Sequence, residues 1–168
     1  SLRQVLVNTE GALTAQRIVR ATGLTEGQNL LTINLREVRE RIERMPEVRG
    51  ADVTRDYEGR LTIDVEQRRP VAWIECPKLR VFHMKSGSGM LLDEEEVALP
   101  CDVILKEYLK MPVIRVEELP QIVPGAQVAS AEVLAALRLV REFESRFDDH
   151  HDEIAAVDKK IARFVEAE

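Results

Sequence analysis

The sequence has few aromatic residues, cysteines and histidines, and each scarcity limits what the chain can do. Aromatic residues make up only 4% of its 168 residues, so aliphatic side chains must fill the core. Two cysteines, Cys76 and Cys101, cannot form a disulfide scaffold. They are either two small buried residues or one disulfide formed in an oxidising compartment. Three histidines leave few options for acid–base catalysis.

Long apolar runs are also missing. No stretch is long enough to span a bilayer, and no signal-peptide pattern begins the chain. The chain opens abruptly on a strand-like segment, so we expect a piece of a longer protein. The net charge of −6 argues against nucleic-acid binding, which needs a concentrated positive surface.

The sequence also lacks recognisable catalytic and ligand-binding motifs. There is no Gly-x-Ser-x-Gly and no paired His-acid spacing on a helix, so we predict that the protein is not an enzyme and has no cofactor. The Gly-rich segment 86–89 is not followed by the Lys-Ser/Thr pair of a phosphate loop, and no helix begins there. It is interpreted as the turn of a hairpin between segments 79–84 and 90–93. The DDHHDE run at 148–153 is interpreted as a polar loop rather than a metal site, because adjacent side chains diverge.

The first half of the chain carries clear secondary-structure signals. Residues 2–8 alternate as in a strand. Thr14 is a plausible N-cap of a short helix that ends at Gly23. Asn34 followed by Glu37 forms a capping box at the start of a second helix, which Pro46 prevents from continuing.

Two alternating runs follow these helices. Residues 51–57 and 61–66 each place apolar side chains on one face, and Glu58-Gly59 lies between them. This pattern is typical of a β-hairpin. The predicted order is therefore strand, helix, helix, strand, strand.

Several short segments in this order resemble one known domain. They are LLTIN at 30–34, RIERMPEV at 41–48, ADVTRDY at 51–57, LTIDVE at 61–66 and RRPVAW at 68–73. The set, over about residues 3–75, resembles the POTRA domain of the FtsQ/DivIB family of bacterial cell-division proteins.

The resemblance implies an α+β fold in two domains. Residues 1–75 are expected to form a POTRA-like βααββ domain. Residues 76–168 are expected to form part of a mostly β domain, with one long helix after Ser130 and short strands at 154–158 and 161–165. In the family further hairpins follow, so we expect the sequence to stop before the family's last strands. The resemblance further implies a non-catalytic divisome scaffold on the periplasmic side of the inner membrane. Its partners are expected to be other division proteins, FtsB- and FtsL-like, and its membrane anchor is expected outside this sequence.

The same resemblance places the first hairpin strand at a sheet edge, where another protein could add a strand. The predicted partner-binding residues are therefore Asp52, Val53, Thr54, Arg55, Asp56 and Tyr57, with Thr54 and Arg55 as the main contacts. Arg55 is interpreted either as a contact to an acidic partner or as a plain surface charge. On the first interpretation, Arg55→Glu weakens partner capture and leaves thermal unfolding unchanged.

Two other functions stay open at this point. One is a POTRA-bearing component of outer-membrane transport or assembly, and the other is a small-molecule-binding domain. Residues 76–168 do not repeat the first unit, whereas transport components usually carry such units in series.

Overall fold

A computed structural model gives the fold of the protein and describes residues 1–146. The strands and helices, numbered in chain order, are β1 Gln4–Asn8, α1 Ala15–Thr22, α2 Leu35–Glu43, β2 Val48–Arg55, β3 Arg60–Gln67, β4 Pro70–Glu75, β5 Gly89–Asp93, β6 Ala98–Cys101, β7 Val113–Arg115 and α3 131–146. Short 3₁₀ turns lie at Leu30–Thr32, Pro77–Leu79 and Lys106–Lys110.

The first three strands form one sheet in the order β1-β3-β2. Strand β3 is central, with β1 parallel to it on one side and β2 antiparallel on the other. The predicted order of strand, helix, helix, strand, strand is confirmed. The parallel pairing of β1 requires a crossover, which the two helices supply.

Side-chain caps fix where the two helices begin. The Thr14 hydroxyl accepts a bond from the Arg17 N–H, and the Asn34 side chain accepts one from the Glu37 N–H. The carboxylate of Glu37 pairs with Arg41 at 2.6 Å instead of completing the predicted capping box. Helix α1 ends at Gly23, whose φ of 69° is the left-handed conformation that glycine adopts at low cost.

Aliphatic side chains between the sheet and the helices make the core of this first region, as the shortage of aromatic residues required. Its buried members are Leu2, Leu13, Ile18, Leu30, Ile33, Val38, Ile42, Val48, Leu61 and Ile63. Leu61 and Ile63 of the central strand are completely buried. The helices therefore cover one face of the sheet and leave the other face open.

A second sheet has the order β6-β5-β4-β7, with β7 parallel to β4. Trp73 is completely buried, its indole N–H donates to the Tyr108 carbonyl at 2.8 Å, and the two rings meet edge to face. A Cβ on Gly89 would lie 2.9 Å from the Trp73 ring and 2.4 Å from a backbone oxygen. Glycine at this position lets β5 pass close to the indole.

The predicted hairpin around segment 86–89 is wrong. Residues 79–84 form no strand, and only Val81 pairs, in a single bridge to Cys76. Arg80 and Met84 have positive φ angles, which interrupt an extended path. Strand β5 pairs instead with β4 and β6.

The fold is α+β, as predicted. Both cysteines are free and buried, which agrees with the first of their two interpretations.

Ser1–Val128 forms one compact unit that contains both sheets, and α3 lies in a second unit. The boundary between residues 75 and 76 stays a prediction. In α3, the Ser130 hydroxyl caps the Val133 N–H, as expected. The DDHHDE run and the strands expected at 154–158 and 161–165 lie outside the described residues.

Candidate protein interface

Strand β2 lies at the edge of the first sheet. It pairs with β3 on one side, and in residues 1–146 no strand pairs with its other side. An edge strand carries backbone N–H and C=O groups that another polypeptide can bind. Strand β1 is the opposite edge, but it has five residues where β2 has eight.

One hydrogen bond fixes which backbone groups of β2 face outward. The Asp56 N–H donates to the Arg60 carbonyl at 3.0 Å, so Asp56 faces β3. Backbone direction alternates along an antiparallel strand. The backbone groups of Arg55, Val53 and Ala51 therefore point away from β3.

The outward donor of Ala51 is already occupied. Its N–H donates to the Glu43 carboxylate of α2 at 3.4 Å, and this carboxylate also lies 3.6 Å from Arg39. No corresponding bond is formed by the N–H groups of Val53 or Arg55 within the described residues. The accessible part of the edge therefore begins at Val53.

A β-bulge limits the same edge at its start. The register shifts between Val48 and Gly50, so Arg49 is the additional residue. Its guanidinium lies 3.0 Å from Glu95 and 3.7 Å from Glu66. Bulges are a common way of ending strand pairing at a sheet edge.

The structure places the six predicted residues in two groups. Asp52, Val53, Thr54 and Arg55 lie in β2, whereas Asp56 and Tyr57 lie in the hairpin turn. The Asp56 carboxylate accepts the N–H groups of Glu58 at 2.9 Å and Arg60 at 3.0 Å, and thus holds the turn. The Tyr57 side chain is fully exposed at the tip. The strand itself ends two residues earlier than expected.

Arg55 has a role that the sequence did not indicate. One guanidinium nitrogen, Nη1, donates to the carbonyls of Leu30 at 2.8 Å, Leu31 at 3.4 Å and Ile33 at 3.1 Å. These carbonyls belong to the connection before α2, where the backbone needs such partners. Arg55 is therefore bonded within its own chain, and Arg55→Glu is expected to lower stability as well. Its contribution to partner binding stays a prediction.

The two faces of β2 differ in chemistry. Ala51 and Val53 are half-buried and pack with Leu35 of α2 against the first core. Asp52 and Thr54 are exposed on the open face of the sheet. A strand added beside β2 would meet an apolar surface on one side and a polar surface on the other.

The surroundings of this edge are mainly charged and polar. The open cleft beside it is lined mainly by charged and polar residues such as Arg49, Asp52 and Asp64, unlike the mostly apolar pocket of a small ligand. In the described part of the chain, no three His, Cys, Asp or Glu side chains are arranged to hold a metal ion.

Among residues 1–146, the pKa is shifted for Cys101, at the end of β6, and for Tyr108, in the 3₁₀ turn that follows. Burial, together with the Asp102 carboxylate, raises the pKa of the Cys101 thiol. Burial, and to a lesser degree Cys101 and Glu107, raises the pKa of the Tyr108 hydroxyl. Both groups are therefore kept neutral, and a neutral thiol is a poor nucleophile.

Comparison with known protein families finds a match to the first 68 residues. Residues 1–68 match the family described as POTRA domain, FtsQ-type, and this range contains all of β1, α1, α2, β2 and β3. The comparison with curated proteins finds no match to the chain. Among residues 1–146, no helix combines the length and the apolar character that crossing a membrane requires.

Proposed function

We propose that this chain, whose residues 1–68 are a POTRA domain of the FtsQ type, is a non-catalytic scaffold of the bacterial divisome. A domain of this type indicates a division-related role in protein–protein interaction, and the FtsQ type favours division over outer-membrane transport. The finer proposal is that the chain recruits and links other division proteins, with FtsB- and FtsL-like proteins among its partners. It does so on the periplasmic side of the inner membrane.

The proposal rests on the outer edge of β2, where backbone N–H and C=O groups are not paired with another strand in residues 1–146. Val53 and Arg55 each direct one N–H and one C=O away from the sheet, so a single added strand can form four main-chain hydrogen bonds. Binding by strand addition obtains affinity from such bonds and specificity from alternate side chains. A surface of this kind suits a scaffold, because it holds a polypeptide without changing it.

Site-specific photo-crosslinking in dividing cells tests the proposal. A benzophenone amino acid replaces Thr54, whose side chain is exposed on β2, and a control replaces Gln16, which is exposed on α1. We expect division proteins to be captured from position 54 and not from position 16. If position 54 captures no division protein, the proposal fails.

A pair of proline variants separates edge binding from folding. Val53→Pro removes an N–H that faces outward, so the pairing of β2 with β3 is kept. Thr54→Pro removes an N–H that faces β3, so the pairing is broken. We expect Val53→Pro to abolish capture by a crosslinker at position 52 with a small loss in unfolding midpoint, and Thr54→Pro to lower the midpoint strongly. If Val53→Pro captured division proteins as well as the unchanged protein does, the β2 edge would be excluded as the binding site.

A further inference from the structure

The open face beside the β2 edge carries an acidic residue without a cationic partner. Asp52 of β2 lies directly opposite Asp64 of β3 in the sheet register. Like charges in this position destabilise a sheet. Asn8 donates to Asp64 at 2.6 Å, and within residues 1–146 no ion pair includes Asp52.

Arg49, which lines the same cleft as Asp52, lies 3.0 Å from Glu95 and 3.7 Å from Glu66. Within residues 1–146, the negative charge at Asp52 is therefore not neutralised by an ion pair. It lies on β2, which is the longer of the two edge strands of this sheet.

We propose that the segment which adds to β2 alternates apolar and basic residues, with a lysine or arginine beside Asp52 and an apolar residue beside Val53. The inference rests on the proposed function, since it specifies the partner of that same edge. The occupant is a segment of another protein in extended conformation.

The geometry of strand addition determines which kind of side chain on the added strand suits each position of β2. In an antiparallel arrangement, Val53 and its neighbour on the added strand exchange two hydrogen bonds, and the neighbour's side chain lies on the same face as Val53. Val53 and Ala51 on that face are partly buried and pack against the first core, so the face favours an apolar residue. Asp52 and its neighbour form a non-hydrogen-bonded pair, the type in which side chains lie closer, at a Cβ separation of about 4.5–5.5 Å. A cation fits there.

Two features of the chain fix the register. Glu43 occupies the Ala51 N–H, and the bulge at Arg49 ends regular pairing just before it. The added strand therefore pairs with Val53 and Arg55, and the basic residue comes at the end of the paired region.

Amide chemical-shift titration of the whole chain tests the inference. The probes are two blocked peptides, Val-Lys-Val-Lys-Val and Val-Gln-Val-Gln-Val, which differ only in charge. We expect the lysine peptide to shift the amide signals of Val53 and Arg55 and to bind about two- to five-fold more tightly than the glutamine peptide. The preference is expected to decrease at high salt, because the pair is exposed.

Matched variants distinguish the charge effect from general acidity. Asp52→Asn and Glu26→Gln each remove one negative charge, but Glu26 is an exposed residue far from β2 in sequence. Asp52→Asn is expected to abolish the preference for lysine without lowering the unfolding midpoint, and Glu26→Gln to keep it. Equal binding of both peptides at Val53 and Arg55 overturns the basic partner and leaves strand addition intact. Absence of any shift at these amides counts against the edge itself.

Discussion

The guanidinium of Arg68 donates to the carboxylate of Asp93 at 3.0 Å and links the end of the first sheet to the second. The side chains are only 16% and 6% exposed. The other oxygen of Asp93 accepts the N–H groups of Glu95 at 2.9 Å and Val97 at 2.8 Å, and so holds the turn after β5. Asp93 therefore has two roles, a charge opposite Arg68 and an acceptor in its own turn.

Two substitutions at Asp93 are expected to separate these roles. Asp93→Asn keeps an oxygen acceptor for the turn but loses the charge, and should lower the free energy of unfolding by about 1.5–3 kcal/mol. Asp93→Ala loses both roles and leaves Arg68 without its main partner, so a loss of about 3–5 kcal/mol is expected. Urea unfolding measures both values.

The control is Glu40→Gln, which removes one charge from the exposed pair between Glu40 and Arg36. Exposed pairs of this kind contribute at most about 1 kcal/mol. If Asp93→Asn were no more destabilising than Glu40→Gln, the buried pair would not hold the two sheets as described.

Arg55 provides the second prediction. Arg55→Ala removes the donor shared by the carbonyls of Leu30, Leu31 and Ile33, and should destabilise the protein by about 1–2 kcal/mol. Thermal unfolding is the measurement, with a decrease of about 2–4 °C for each kcal/mol in a chain of this size. Arg36→Ala is the matched control, because Arg36 lies on the surface of α2 in an exposed pair with Glu40. Equal melting temperatures for the two variants would contradict the structural role of Arg55.

Local signals made the first region predictable from the sequence. Caps such as Thr14 and Asn34 bond to backbone groups within the next three residues, and the alternation in β2 and β3 reports which side chains are buried. Both kinds of signal are contained in a few adjacent positions. The order of elements, the two helix starts and the position of the hairpin could therefore be deduced.

Contacts between distant polar residues could not be predicted in this way. Arg55 bonds to carbonyls 22 to 25 positions away, and Arg68 bonds to Asp93 25 positions away, so no periodicity reports them. Residues 79–84 look like a strand in their apolar composition, but backbone turns at Arg80 and Met84 decide their path. The chemistry of the β2 edge likewise depends on Glu43 and Asp64, which only the folded chain brings beside it.

The pH dependence of stability gives the third prediction. Because burial raises the pKa of the Cys101 thiol, the unfolded chain releases this proton at lower pH than the folded chain. The contribution of Cys101 to stability is therefore complete below the ordinary thiol pKa of about 8.5 and is lost as the pH rises through the folded value. As the pH rises from neutral to alkaline, the urea concentration at the midpoint of unfolding should decrease less in Cys101→Ser than in the unchanged protein. If the midpoint decreases equally with pH in both proteins, the thiol does not contribute to the pH dependence.

Glu43 is the subject of the last prediction, because its carboxylate covers one donor of the β2 edge. Glu43→Ala should expose the Ala51 N–H to water and accelerate its hydrogen exchange, whereas the Asp52 N–H, which faces β3, should exchange as before. The matched control is Glu40→Ala, on the same helix but paired with Arg36 and not bonded to β2. Stability should change little in either variant, since both pairs are exposed. The same change should lengthen the accessible edge by one position and strengthen the capture of an added strand. If exchange at Ala51 is equally fast in all three proteins, Glu43 does not cover this donor, and the accessible edge starts at Ala51 rather than at Val53.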